Sequence, residues 1–284
     1  MFSTRRSPSH GMAARYNQGS MSQPSVVAQG YDAVYEVMPR SPTFLSLWNE
    51  HAAGQDYPDA FSHISFITLE DLRHLAGALR LSEGSTFADL ACGMGGPGLW
   101  VARETGARLV GVDFSRVAVA RAAERAEAAG LNSVAWFQSG SFADTGLKTA
   151  SMDAAMSVDA LQYAPDKRAA MREFARVVRP GGRLAFFAFE LDPERSRDLP
   201  IIGEDPVDDY RPLLKEASFR VLTYEQTPHW HQRLLAAYGG VIEAQQALRR
   251  EMGEVATAAM LSEMTVTLQR DIYRGRVFAL AERG

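Results

Sequence analysis

Short apolar runs alternate along the chain with stretches in which apolar residues recur every three or four positions. The short runs are bounded by turn residues and are too brief for helices, which is typical of buried strands. They lie at 86–90, 109–113, 134–138, 152–158, 184–189, 219–225 and 273–281. The intervening stretches have the periodicity of helices. This alternation predicts an α/β fold.

Helical patterns also occupy the segments before the first predicted strand and before the last. A leucine stripe over residues 69–79 follows Thr68, which is a suitable N-cap. Tyr31 and Tyr35 stand four residues apart, which suits the inside of a lid and equally an ordinary core or surface pair. Residues 229–268 have helical spacing throughout and predict one or two helices.

The first predicted strand runs into a turn that is rich in glycine. The glycines are Gly93, Gly95, Gly96 and Gly98. Glycine permits positive φ and lets a ligand approach the backbone, and the helix that follows offers free N–H groups. Asp89 lies inside the end of the first strand, before the glycines. Asp113 ends the second strand, where an acid can accept both hydroxyls of a ribose. These features predict a nucleotide site, although the glycine spacing alone would also suit a dinucleotide.

The stretch from Asp89 to Gly98, together with Asp113 and the turn at residues 179–182, resembles the class I S-adenosylmethionine (SAM)-dependent methyltransferases. The resemblance extends over about residues 60–225 and is to bacterial small-molecule enzymes of natural-product biosynthesis. It implies a Rossmann-like seven-stranded sheet that is mostly parallel, with an antiparallel last strand and additional N-terminal helices. The sixth and seventh strands are too far apart for a short hairpin, so we expect a helical cap between them.

This resemblance suggests a division of the chain into functional segments. We expect a disordered tail at 1–25, a helical lid at 26–82, a SAM-binding core at 83–228, a substrate cap at 229–268 and the last strand at 269–284.

The resemblance also implies which residues hold SAM and its product, S-adenosylhomocysteine. The predicted cofactor residues are Asp89, Ala91, Gly93, Gly95, Asp113, Phe114, Ser141, Phe142 and Asp159. Asp113 would bind the ribose, while Ser141 and Phe142 would lie beside the adenine. Ordinary core packing is an alternative explanation for Phe142.

The acceptor is expected at the carboxyl ends of the fourth and fifth strands, because ligands of parallel sheets bind there. The predicted substrate-pocket residues are Tyr31, Tyr35, Tyr163 and Trp230. A hydroxyl or carbon acceptor needs a general base, whereas an amine can react without one. The predicted bases are Glu190, His63, His229 and His231. Each of the histidines is also explained by a surface or structural role.

Composition argues against several other classes of protein. With 30 basic and 34 acidic residues the net charge is −4, which does not favour a nucleic-acid partner. We expect no membrane span and no secretory signal, and the single cysteine, Cys92, suits a cytoplasmic location. Catechol-type methyltransferases hold Mg²⁺ with acids after the fourth strand, a pattern that Asp159 and Asp166 could resemble. A metal site is nevertheless not predicted, because no Asp-Asn pair follows the fifth strand here.

We therefore expect SAM-dependent methylation of an oxygen or carbon of a hydrophobic small molecule. N-methylation of a small amine, an NAD-type oxidoreductase and a non-catalytic SAM-binding protein remain as alternatives. The expected partner is the small-molecule acceptor, and a homodimer through the helical cap is left open.

Overall fold

The structure is a computed structural model that describes residues 26–199 and 205–284. The tail expected at residues 1–25 lies outside the described residues. Within the described ranges the strands are β1 (Thr86–Leu90), β2 (Arg108–Asp113), β3 (Ala135–Ser139), β4 (Met152–Val158), β5 (Val178–Leu191), β6 (Phe219–Gln226) and β7 (Tyr273–Arg283). They form one seven-stranded sheet in the order β3-β2-β1-β4-β5-β7-β6.

The sheet is parallel from β3 to β5, and β7 runs antiparallel to both of its neighbours, β5 and β6. Its central strands are buried on both faces, as in β1, where Phe87, Ala88 and Leu90 are at most 1% exposed. Such strands are near-continuous apolar runs, which explains why the sequence pattern located them well. The predicted Rossmann-like α/β sheet with an antiparallel last strand is confirmed.

The helices complete the layers around this sheet. Within the described residues they are α1 (Val26–Val37), α2 (Pro42–Trp48), α3 (Leu69–Leu79), α4 (Gly96–Thr105), α5 (Arg116–Ala128), α6 (Lys167–Val177), α7 (Pro193–Ser196), α8 (Arg211–Glu216), α9 (Trp230–Glu243), α10 (Gln245–Met252) and α11 (Glu254–Arg270). Short turns of 3-10 or π helix occupy Met38–Arg40, Asn49–Ala53, Asp59–Phe61 and Leu161–Tyr163. No helix in the described part of the chain is long and apolar enough to cross a bilayer.

Side-chain caps fix the starts of several helices. Thr68 accepts a hydrogen bond from the Asp71 N–H at 3.1 Å, and the Asp71 carboxylate accepts one from the Thr68 N–H at 3.2 Å. Ser115 caps α5 by accepting from the Ala118 N–H at 3.0 Å. These bonds satisfy N–H groups that have no partner inside the helix.

Two details of the expected secondary structure are wrong: the start of the fifth strand and the number of helices before the last strand. The turn at residues 179–182 is part of β5, which begins at Val178, and the ladder with β4 shifts register there. The segment before β7 contains three helices rather than one or two. α9 ends at Glu243, and α10 begins at Gln245 after the single cap residue Ala244. α10 ends at Met252, before Gly253, whose φ of 81° lies in the left-handed region that favours glycine.

α1, α2 and the three helices before β7 share one apolar cluster on the carboxyl-end side of the sheet. Met38, Phe44, Trp48, Leu234, Val241 and Leu248 belong to it. Phe189 and Leu191, at the end of β5, also belong to this cluster. The N-terminal helices and the inserted helices therefore pack together over the edge at which the parallel strands end.

Candidate active site

The turn between β1 and α4 has positive φ at three positions, two of which are the glycines that favour it and one of which is an alanine, where it is uncommon. Ala91, Gly93 and Gly95 have φ of 63°, 51° and 75°. The Ala91 and Cys92 N–H groups both donate to the Val112 carbonyl, at 2.8 and 3.0 Å, which fastens the turn to β2. A Cβ on Gly98 would lie 2.5 Å from Asp89 Oδ2, so only glycine fits there.

Asp113 ties the glycine turn to the start of α5. Its Oδ2 accepts from the Gly93 N–H at 2.8 Å and its Oδ1 from the Ser115 N–H at 2.9 Å. Burial raises the pKa of Asp113, and these two backbone donors oppose that shift. Each carboxylate oxygen keeps a free lone pair, so the side chain can still accept hydroxyl groups from a ligand.

Asp89 presents an unsatisfied acceptor to the same cleft. Its side chain is 2% exposed, and within the described residues its Oδ2 has no hydrogen-bond partner. Burial raises the pKa of Asp89 to about 7, the nearby Asp113 carboxylate adds to the shift, and the backbone N–H of Gly98, which lies near the carboxylate, opposes it. A buried polar atom without a partner is costly, which indicates a place for a ligand donor.

A cleft along the carboxyl ends of β1, β2 and β4 brings most of the predicted residues together. Its lining includes the predicted cofactor residues Asp89, Ala91, Gly93, Asp113, Phe114, Phe142 and Asp159. It also includes His63, Tyr31, Tyr35 and Tyr163. Phe142 additionally packs against Phe174, so the core interpretation of this residue holds as well.

Gly95 and Ser141 do not line the cleft. A Cβ on Gly95 would lie 2.9 Å from the Phe137 ring and 3.1 Å from Ala122, so this glycine serves the packing of the turn against β3 and α5. Ser141 is exposed, and its hydroxyl accepts from the Asp144 N–H at 3.1 Å within its own turn.

α1 closes over the glycine turn. The Tyr35 hydroxyl would lie 3.2 Å from a Cβ placed on Gly93. Asp32 accepts a hydrogen bond from the Ser115 hydroxyl, and Glu36 pairs with Arg121 at 3.0 Å. Through these contacts α1 is fastened to the start and outer face of α5.

A second, aromatic cavity adjoins the cleft. Its ring-bearing lining residues are Tyr31, Phe44, Trp48, Phe66, Tyr163, Phe189, Tyr238 and Tyr273. Tyr31, Ile64, Asp159 and Tyr163 line both spaces. The α11 side of the cavity is formed by residues such as Met260 and Glu263. The two spaces therefore meet at the carboxyl end of β4.

Asp159, at that meeting point, is held by an ion pair. Its Oδ1 and Oδ2 accept from the Arg276 guanidinium at 2.8 and 3.1 Å, and Oδ2 also accepts from the Phe66 N–H at 2.7 Å. Arg276 is fully buried on β7 and also contacts Asp71 of α3 at 3.5 Å. The pair stiffens a residue whose φ of 49° is unusual for aspartate.

Among the predicted bases, His63 reaches the cleft. Its Nδ1 accepts from the Ser65 N–H at 3.1 Å, so Nε2 carries the proton. Burial, and secondarily the charge of Arg125, lowers the pKa of His63 to about 3. The imidazole is therefore neutral at pH 7 and is a weak proton acceptor there.

Glu190 and the other two histidines lie away from both spaces. Glu190 contacts Tyr224 at 2.8 Å and Gln226 at 2.7 Å, because alternate residues of a strand face opposite sides. His229 and His231 are exposed before and within the first turn of α9.

Trp230 is also outside the cavity lining. Its ring packs edge-on against Phe189, with 5.5 Å between ring centroids, and it stands behind the wall of the cavity.

Sequence reasoning missed several residues of the aromatic cavity and its border. They are Glu263, Tyr238, Tyr273 and Arg276. The sequence contained one indication of Glu263: it is an acidic residue in an otherwise apolar stretch of α11, between Ser262 and Met264. Within the described residues no group of three or more His, Cys, Asp or Glu side chains is placed to hold a metal ion.

Comparison with known proteins agrees with this architecture. Residues 88–186 match a family model described as a methyltransferase domain. The 27-O-demethylrifamycin SV methyltransferase of Amycolatopsis mediterranei (strain S699) is 29% identical over 205 residues, which cover 68% of this chain and 73% of that one. Several other curated methyltransferases align over less than two fifths of their own length.

Solved structures share the fold. The [4+2]-cyclase SpnF matches with a TM-score of 0.69 at 21% identity, covering 92% of this chain and 96% of that one. The geranyl diphosphate C-methyltransferase of Streptomyces coelicolor A3(2), solved with Mg²⁺, geranyl diphosphate and S-adenosylhomocysteine, matches with a TM-score of 0.58 at 16% identity, covering 76% and 79%.

Residues 88–186 are thus a methyltransferase domain, and the sheet order agrees with a SAM-dependent methyltransferase. The chain resembles methyltransferases of natural-product metabolism.

Proposed function

We propose that the protein transfers the methyl group of SAM to an oxygen or carbon of a hydrophobic small molecule in bacterial secondary metabolism. The observation that carries the proposal is the junction of the cleft with the aromatic cavity at Tyr31, Ile64, Asp159 and Tyr163. A cofactor in the cleft would present its methyl group at this junction, to an apolar molecule in the cavity.

In this proposal, different residues of the cleft bind different parts of the cofactor. Asp113 accepts the ribose hydroxyls, and Phe142 packs against the adenine. Asp89, whose Oδ2 lacks a partner, accepts from the amino group of the methionine part. The glycine turn allows the ligand to lie against the backbone.

The residues act mainly by positioning. Methyl transfer forms a bond from the acceptor to the methyl carbon, while the carbon–sulfur bond breaks and its electron pair stays on sulfur. The proton that an oxygen or carbon acceptor loses passes to water. Correct placement of two reactants can remove about 7–11 kcal/mol of barrier. Residues 26–82 would act as the lid, 83–228 with 269–284 as the cofactor core, and 229–268 as the acceptor cap that excludes water.

The proposal is tested in two steps. Calorimetry should detect binding of S-adenosylhomocysteine, and its absence would remove the cofactor assignment. Incubation of the protein with methyl-labelled SAM and extract of the source organism should then yield one labelled apolar product. Cofactor binding without any labelled product would favour a non-catalytic SAM-binding protein, and binding of NADH in place of S-adenosylhomocysteine would favour an oxidoreductase.

Pairing of two chains through the cap is a separate proposal. Val255, at the start of α11, is 74% exposed, and Leu235 on α9 is 46% exposed. Exposed apolar side chains on these helices could pack against a second copy. Light scattering of the wild type and of a Leu235→Lys, Val255→Lys double variant tests this. An equal mass for both proteins counts against the interface.

A further inference from the structure

Glu263 brings a carboxylate into the aromatic cavity. It lies on α11, and its Oε1 accepts from the Tyr163 hydroxyl at 2.5 Å, while Oε2 accepts from the Tyr31 hydroxyl at 3.3 Å. Tyr31 and Tyr163 are also residues that border the cofactor cleft. The carboxylate is therefore one hydrogen bond away from the junction of the two spaces.

Among the described residues, Glu263 has no cationic partner, unlike Asp159, the other carboxylate of the cavity. Asp159 is neutralised by Arg276 at 2.8 Å. Within residues 26–199 and 205–284, no lysine, arginine or histidine forms an ion pair with Glu263. Its partners are two neutral hydroxyl groups, and a charge that is partly buried without a counter-charge is costly.

Aromatic groups surround this carboxylate. The titratable groups that face it are Tyr31, Tyr35, Tyr163, Tyr238 and Tyr273, from α1, the turn after β4, α9 and β7. Burial raises the pKa of Glu263, and the hydrogen bonds from Tyr163 and Tyr31 oppose the shift. Aromatic faces carry partial negative charge and attract cations.

We propose that Glu263 anchors a protonated amine carried by an otherwise apolar acceptor. This inference rests on the proposed function, because it names the chemistry by which the aromatic cavity recognises its ligand. An ammonium group would supply the counter-charge that Glu263 lacks, and its N–H groups would use the lone pairs that the tyrosines leave free. The apolar body would occupy the remaining aromatic wall.

Two probes of equal length test the proposal without knowledge of the natural acceptor. Calorimetry at pH 7.5 compares octylammonium with 1-octanol, with and without saturating S-adenosylhomocysteine. The wild type should bind octylammonium at least about tenfold more tightly than 1-octanol, since a desolvated cation over aromatic rings with a carboxylate partner gains more than 1.4 kcal/mol. N-octylacetamide, which has no charge, should bind like 1-octanol.

Two variants test whether the preference for octylammonium over 1-octanol depends on the Glu263 carboxylate. Glu263→Gln keeps the shape of the side chain and should abolish the preference for octylammonium while the affinity for 1-octanol is retained. Glu254→Gln is the matched control, because Glu254 lies on the same helix but is exposed and pairs with Arg249 at 3.1 Å. This control should bind like the wild type.

The wild type alone can overturn the proposal. It does so if it binds octylammonium and 1-octanol with equal affinity, or if it does not bind octylammonium. Persistence of the preference in Glu263→Gln would overturn it too. If S-adenosylhomocysteine does not bind, the proposed function fails. The titrations without S-adenosylhomocysteine would still show whether Glu263 binds the ammonium group.

Discussion

Single acidic side chains set the chemistry of the cleft. Asp113 accepts two backbone N–H groups from different loops, whereas Asp89 keeps one buried oxygen without a partner. The first arrangement holds a loop in place, and the second leaves an acceptor for a ligand. Two aspartates at the ends of neighbouring strands therefore have different roles.

Replacement of Asp113 by Asn tests its role in cofactor binding. The amide cannot accept from both the Gly93 and Ser115 N–H groups and still receive ribose hydroxyls through two oxygens. We expect a loss of about 1.5–3 kcal/mol, or about tenfold to a hundredfold in affinity for S-adenosylhomocysteine, by calorimetry. Asp208→Asn, on the surface, should bind normally, and an unchanged affinity of Asp113→Asn would refute the ribose role.

His63 should make stability depend on pH. Its folded-state pKa is lowered to about 3, below the ordinary 6.5, so the unfolded chain binds more protons between these values. The contribution of His63 to the free energy of unfolding should therefore fall as the pH drops below 6.5, by at most about 1.4 kcal/mol per pH unit. Above pH 7 this contribution should be constant.

Urea denaturation of the wild type and of His63→Gln between pH 7.5 and 5 measures this effect. The difference between the two proteins cancels other titrating groups. It should change by about 1–2 kcal/mol over that range, to the disadvantage of the wild type. A difference that does not vary with pH would mean that His63 is protonated normally in the folded protein.

At the scale of elements, the proposed lid at residues 26–82 predicts a change in motion that can be measured. Tyr31 and Tyr35 of α1 line the cleft, and α1 also contacts the rest of the protein through the shared apolar cluster, to which Val34 belongs, and through the Glu36–Arg121 pair. Binding of S-adenosylhomocysteine should add contacts to α1 and slow hydrogen exchange of its backbone amides.

Mass spectrometry of exchange with and without the ligand checks this prediction. α8 is the internal control, because none of its residues lines the cleft, and its exchange should stay the same. If α1 exchanges at the same rate in both states, it is not a lid.

The elements differed in how far they could be predicted. β1, β2 and β4 are buried apolar runs that end at glycines or acids, so local pattern determines them. Glu190 was misplaced because the end of a strand does not tell which face a side chain occupies: Phe189 faces the cavity, and Glu190 faces Tyr224.

Glu263 and Arg276 were missed for a different reason. Each meets its partners only after distant elements have packed, at sequence separations of 100 residues for Tyr163 and 117 for Asp159. Neither residue belongs to a local motif, so periodicity and spacing carry no signal about the contacts that they make.

At the scale of the whole molecule, Arg276 links three distant parts of the fold. Arg276→Met leaves Asp159 buried without a counter-charge, which should lower the free energy of unfolding by about 3–5 kcal/mol. The double variant Asp159→Asn, Arg276→Met should lose less than the sum of the single variants, because they share one interaction.

Urea denaturation of the three variants measures the coupling. Arg274→Met is the matched control on the same strand, since Arg274 is exposed and pairs with Asp208 at 3.3 Å. It should cost no more than about 1 kcal/mol. Additive losses at Asp159 and Arg276 would show that the two side chains do not depend on each other.

The position of β7 has a consequence for the order in which the protein is made. β7 lies between β5 and β6, so β6 has no sheet partner until residues 273–283 have left the ribosome. Arg276 arrives with the same strand, and until then Asp159 lacks its counter-charge. The nascent chain can form β1 to β5 early, but β6 and the three helices α9, α10 and α11 are made before the strand that completes the sheet. The late stage of synthesis is therefore the time of greatest exposure to aggregation.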